Sequence, residues 1–145
     1  MSGSDSGQEL TVESALRDSE VAWNRFVALV DATPSNLQDQ PGVCGDWSLK
    51  TVVGHVAFWD GFEANRLVCP GEFDEVDFQP LNDQNALDSA KKTIAELRAE
   101  LEINHARAVT GINSNPTVSP AYIRELLYDH YVEHGLEIER WLAKT

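Results

Sequence analysis

Two histidines four residues apart, His130 and His134, fall on one face of a predicted helix about one turn apart. At that spacing two imidazoles can share a divalent metal. His55 lies on a second apolar stripe, between Val52 and Trp59. Three imidazoles from two neighbouring helices could fill one side of a metal and leave positions for water or a thiolate. An HxxxH pair also occurs as ordinary hydrogen-bonded packing, so the spacing alone leaves both readings open. Burying three titratable rings without partners is costly, however, and an apolar setting favours the neutral imidazole that a metal requires. His105, four after Leu101 and three before Ala108, also sits on an apolar stripe, and periodicity does not exclude it as a rival ligand. Glu137, three after His134, is placed to accept a ligand N–H or to shuttle a proton, although like Asp129 and Glu133 it also reads as a solvated helix charge.

Other chemistries find less support. The sequence contains no glycine-rich phosphate loop and no GxSxG, and Cys44 and Cys69 lack CxxC spacing. Two cysteines are too few for a disulfide framework; they fit a reducing cytoplasm as free thiols packed like small hydrophobes. With 11 Lys+Arg against 24 Asp+Glu, the net charge of −13 opposes nucleic acid and anionic membrane surfaces. No apolar run is long enough to span a bilayer. The opening Met1–Gln8 has neither a basic nor an apolar region of a signal peptide and reads as a short disordered tail. The remaining 9–145 is expected to form one domain, because 145 residues suffice to bury roughly two-thirds of the unfolded surface.

Helical periodicity recurs in four stretches, and no stretch alternates with period two. The first helix is expected over 11–31, with Thr11 as N-cap and Val12, Leu16, Ser19, Trp23, Phe26 and Val30 as its stripe. The second is expected over 48–67, with Ser48 as N-cap and Val52, His55, Trp59 and Phe62 inward. The third is expected over 86–111 behind an Asn85 cap, its seam running through Leu87, Ala90, Ile94, Leu97, Leu101, Ala108 and Ile112. The fourth is expected over 120–143, where Ser119-Pro120 gives a capping hydroxyl and a proline at the first helical position. The aromatic stripe of Trp23, Phe26, Trp59, Phe62 and Trp141 reads as core. Four such helices imply an all-α four-helix bundle. The connection 68–84 is long, and its acidic residues read as a solvated surface, with Phe73 and Phe78 pinning it to the bundle. About 17 extended residues reach more than 50 Å, past the roughly 30 Å of a 20-residue helix, so this crossover could make helices 2 and 3 parallel.

The segment Gly45-Asp-Trp-Ser-Leu-Lys-Thr-Val-Val-Gly-His-Val-Ala-Phe-Trp59 resembles the second-helix motif of the DinB-like superfamily of bacterial metal-binding bundles, a Gly-x-Trp-Ser entry followed by a histidine. The segment Tyr128-Asp-His-Tyr-Val-Glu-His-Gly-Leu-Glu-Ile-Glu-Arg-Trp141 is similar to that family's closing helix with its HxxxH. The likeness covers nearly the whole chain. Position by position it implies His55, His130 and His134 as the metal triad, an up-down-down-up topology with a long crossover, and homodimers paired through bundle faces. It also implies zinc or nickel as cofactor and, by analogy with thiol-dependent S-transferases and isomerases, a low-molecular-weight thiol attacking a small electrophilic substrate. The alternative expectation is a non-catalytic stress-response or self-resistance bundle that binds a metal or small molecule. Gly54 and Gly135, each beside a triad histidine, stand where alanine is more usual. On the implied topology His55 and His134 come roughly level, while His105 falls about 30 Å down the third helix, away from the site.

Overall fold

The computed structural model describes residues 9–69 and 76–145. The predicted tail at 1–8 and Phe73 lie outside them. Among the described residues the chain is all-helical, without a β-strand. Helix α1 spans Val12–Ala32, behind a capping box in which Thr11 and Ser14 satisfy each other's backbone N–H groups. Helix α2 spans Leu49–Val68, with the Ser48 hydroxyl accepting from the Thr51 N–H. Helix α3 covers Phe78–Ala90 and α4 covers Ile94–Asn113. A short α5, Pro120–Ile123, runs through a π-helical turn at Arg124–Tyr128 into α6, Asp129–Lys144. No helix among the described residues is long and apolar enough to cross a membrane.

The expected single helix over 86–111 is corrected. Thr93 caps α4 and forms a reciprocal capping box with Glu96, so the chain stops and restarts between Ala90 and Ile94. Asn85 lies inside α3, Leu87 is 62% exposed, and Ala90 is also exposed, so neither belongs to the seam. The long connection is correspondingly shorter than expected, since α3 occupies part of it. Asp77 opens α3 by accepting from the Gln79 N–H.

Cross-contacts give the helix directions. Gly54 lies against Leu97, Gly61 against Asn104 and Leu67 against Gly111, so α2 and α4 run the same way. Asp18 meets Arg124 and Arg25 meets Glu139, so α1 and α6 also run the same way. Asp31 meets Arg98 while Glu20 meets His105, which sets α1 against α4 in the opposite sense. His55 meets His130 while Glu63 meets Tyr122, which does the same for α2 and α6. The molecule is therefore two layers, α2 along α4 and α1 along α6. Phe26, Leu49, Val52, Val53, Leu97, Leu101, Ile123, Leu127 and Ile138 fill the space between them. A Cβ on Gly54 would lie 2.0 Å from Ser89 Oγ, so this glycine is required for α3 to lie against α2.

Candidate metal centre

The turn before α2 builds one wall of the site. Gly45 takes φ +58°, a left-handed conformation that suits glycine, and the Trp47 N–H donates to the Cys44 carbonyl at 2.9 Å. That turn places Trp47 with its ring 4.9 Å from the His55 ring and leaves Ser48 free to cap the helix. The Gly-x-Trp-Ser sequence thus sets the angle at which α2 enters and shields one side of its histidine. On the other layer, the π turn ends at Tyr128, two residues before His130. Such turns alter the phase of the helix that follows and recur at functional sites.

The three sequence-predicted histidines converge. One ring nitrogen from each of His55, His130 and His134 lies within 4.8 Å of the other two. His55 Nε2 and His130 Nε2 are 3.1 Å apart, and the three ring centroids are separated by 4.6–5.0 Å. Tetrahedral zinc bonds of about 2.0–2.1 Å put ligand nitrogens about 3.3 Å apart, so the His55–His130 pair already has ligand spacing. The Nδ1 of His134 donates to Glu137 Oε1 at 2.6 Å, which makes Nε2 the nitrogen left over as a ligand. Among the described residues, His55 Nδ1 is buried without a hydrogen-bond partner. Burial, and then the neighbouring His134, push His55 down to about 4. Burial followed by His134 and His55 holds His130 well below the usual histidine range. His55 and His130 are thus held as neutral imidazoles, the form that binds a divalent metal.

Glu137 also accepts from the Cys44 thiol. Burial first, and then Glu137, push that thiol up to about 11, so Cys44 is a poor nucleophile. Cys44 is half-buried, and Cys69 is exposed rather than packed as a small hydrophobe. A cavity of about 340 Å³ opens beside His55 and His130, lined also by Trp59, Glu63, Phe78, Asn82, Glu125 and Leu126. The Trp59 indole N–H donates to Asn82 Oδ1 at 2.7 Å and its ring meets Phe78 edge-on at 5.2 Å. Trp59 and Phe62 are only half-buried, so the expected aromatic core is corrected: Trp23, Phe26 and Trp141 are core, and Trp59 is a cavity wall. A larger cavity of about 550 Å³ lies near the C-terminal ends of α2 and α4, with no histidine, cysteine or carboxylate in its lining.

His105 stands outside the cluster. Its Nδ1 lies 2.6 Å from the Tyr131 hydroxyl and its Nε2 lies 3.3 Å from Glu20. It is not at the far end of the bundle, however. Because α4 starts eight residues later than expected, His105 rises by about 12 Å and touches the residue next to His130. Sequence reasoning missed Cys44, Asn82, Asp60 and Tyr131. Of these only Asp60, a lone carboxylate on an otherwise apolar helix face, carried a readable signal.

No family model matches the chain, and no curated protein does. Its fold is similar to that of a solved structure of an uncharacterised protein from Escherichia coli UTI89, with TM-score 0.77, 12% identity and 97% of each chain covered.

Proposed function

We propose that this chain is a DinB-like four-helix bundle of up-down-down-up topology that binds one divalent metal, zinc or nickel, through His55, His130 and His134. The observation that carries this reading is the approach of three imidazoles, from two layers of the fold, to within 4.8 Å of one another beside an open cavity. The helix directions agree with that topology. A divalent metal there would lower the pKa of an incoming thiol or water and make it a nucleophile near neutral pH. The protein's own groups would do the rest. Glu137 fixes the His134 tautomer and can hold a proton; Trp59, Phe78 and Leu126 give the cavity an apolar wall for a small electrophilic substrate. With Cys44 held protonated, the nucleophile must come from outside the chain, and a low-molecular-weight thiol ranks ahead of water through the sequence resemblance.

Two measurements test this. Metal analysis of protein from a metal-replete host, with an anomalous edge scan, is expected to give one zinc or nickel per chain. The loaded protein is then expected to consume a thiol with bimane or chlorodinitrobenzene, and His55→Ala to abolish turnover. Stoichiometric binding without turnover would favour a non-catalytic binding bundle instead.

A further inference from the structure

Beside the histidine cluster runs a polar chain, buried except at its Glu20 end, that takes one residue from each of the four long helices. Tyr131 of α6 donates its hydroxyl proton to Asp60 Oδ2 of α2 at 2.6 Å. His105 Nδ1 of α4 lies 2.6 Å from the same hydroxyl oxygen, and His105 Nε2 lies 3.3 Å from Glu20 of α1. Asp60 and Tyr131 are each 1% exposed. Trp23 stacks on His105 at 3.8 Å with 1° between the planes, which closes one side of the chain to water.

Its position bears on the candidate metal centre. The three ligands straddle the seam between the layers: His55 belongs to the α2–α4 layer, and His130 and His134 to the α1–α6 layer. The rest of that seam is largely apolar, and apolar contact is non-directional, so it tolerates small slides and rotations of one layer on the other. A ligand set has no such tolerance. Asp60 is five residues beyond His55 on α2, and Tyr131 is the residue after His130 on α6. The same two helices are therefore linked twice, at two heights and two angles around their axes. Two such links fix both the rotation and the translation of one helix on the other. The linking groups are buried, and a buried polar group is satisfied only in the right register.

We infer that Tyr131 and Asp60 are positioning residues for the metal centre, their hydrogen bond holding α6 in the register that brings His130 and His134 against His55. The inference rests on the metal-centre reading. Three variants test it in the full chain, with zinc affinity measured by chelator competition and the ligand-field spectrum recorded after cobalt loading. Tyr131→Phe and Asp60→Leu act on the ligands only through helix register and are each expected to weaken zinc binding by about 10-fold, the low end of the range for groups bonded directly to ligands, and to shift the cobalt bands. Asp60→Asn keeps an acceptor for the hydroxyl and is expected to retain the wild-type spectrum. Ile112→Ala, a buried site at the far end of α4, controls for general destabilisation and is expected to leave both readouts unchanged. Wild-type affinity and spectrum in Tyr131→Phe and Asp60→Leu would overturn the positioning role and leave the metal centre standing. If the wild-type chain takes up no zinc, the metal centre falls and this inference falls with it.

Discussion

His105 and the His55–His130–His134 cluster are both imidazoles on apolar helix faces, yet the fold treats them differently. His105 has a partner at each ring nitrogen, Tyr131 on one side and Glu20 on the other, and Trp23 lies flat on its face. Burial holds it below the usual histidine range while Glu20 pulls the other way. Both ring nitrogens thus face other polar groups of the protein and not the histidine cluster. In the cluster, two neutral rings face each other Nε2 to Nε2 at 3.1 Å, and the three ring planes meet at 68–77°. One proton between them makes a single Nε2–H···Nε2 bond, and His55 Nδ1, among the described residues, is left buried without a partner. A buried imidazole with partners at both nitrogens is architecture. Imidazoles that converge on a common point are what the proposed metal centre requires.

The most severe way to break that contrast is to remove the rings. His55→Ala, His130→Ala and His134→Ala are each expected to reduce metal content well below one per chain. His105→Ala is expected to keep it near one and to lose stability instead, since it deletes the Trp23 stack and one link of the polar chain. Metal analysis paired with chemical denaturation reads both. Metal loss in His105→Ala with its helicity intact would erase the distinction.

The next largest effect separates core from cavity wall. Trp141 is 7% exposed, and Trp141→Ala is expected to cost about 3–5 kcal/mol, the usual loss for a core aromatic. Trp59 is half-buried at the cavity, so Trp59→Ala is expected to cost less, about 1–2 kcal/mol in urea unfolding. Equal losses would mean that the cavity wall is structural. Glu137→Ala frees the His134 tautomer and is expected to weaken zinc by about 10–100-fold in competition titration. An unchanged affinity would reduce Glu137 to a solvated helix charge.

What the sequence revealed follows from the range of each interaction. The four apolar seams are local and periodic, so α1, α2 and the closing helix were legible within a residue or two. The histidine spacing was legible for the same reason, because i and i+4 share a face whatever the tertiary fold. The break before α4 was written in Thr93-x-x-Glu96, but the seam was extrapolated backwards through Leu87 and Ala90, which happen to fall in phase. The capping box outranks the extrapolation because it satisfies backbone groups that every helix start leaves open. The π turn at Arg124–Tyr128 had no composition signal. The Cys44 contact with Glu137, and the meeting of Asp60 with Tyr131, depend on residues 93 and 71 positions apart and follow only from the packing.

A change of pH tests the architectural half of the contrast without any metal. Complete burial pushes Asp60 up to about 8, the Tyr131 hydroxyl opposing that rise and the charge of Glu63 adding to it. In the unfolded chain its carboxyl titrates near 3.9. Because the folded value is the higher one, the fold favours the protonated form. Its contribution is fully present below about pH 4 and is lost progressively as pH rises through about 8. Asp60→Asn cannot ionise, retains an acceptor for Tyr131, and escapes that loss. In chelator-treated protein, the melting temperature of Asp60→Asn relative to wild type is therefore expected to increase from pH 6 to pH 9, by at least about 3 °C for each 1 kcal/mol regained. A difference that stays flat across that range would mean that Asp60 ionises freely in the folded state. The polar chain would then be a hydrated crevice rather than a buried link between the two layers.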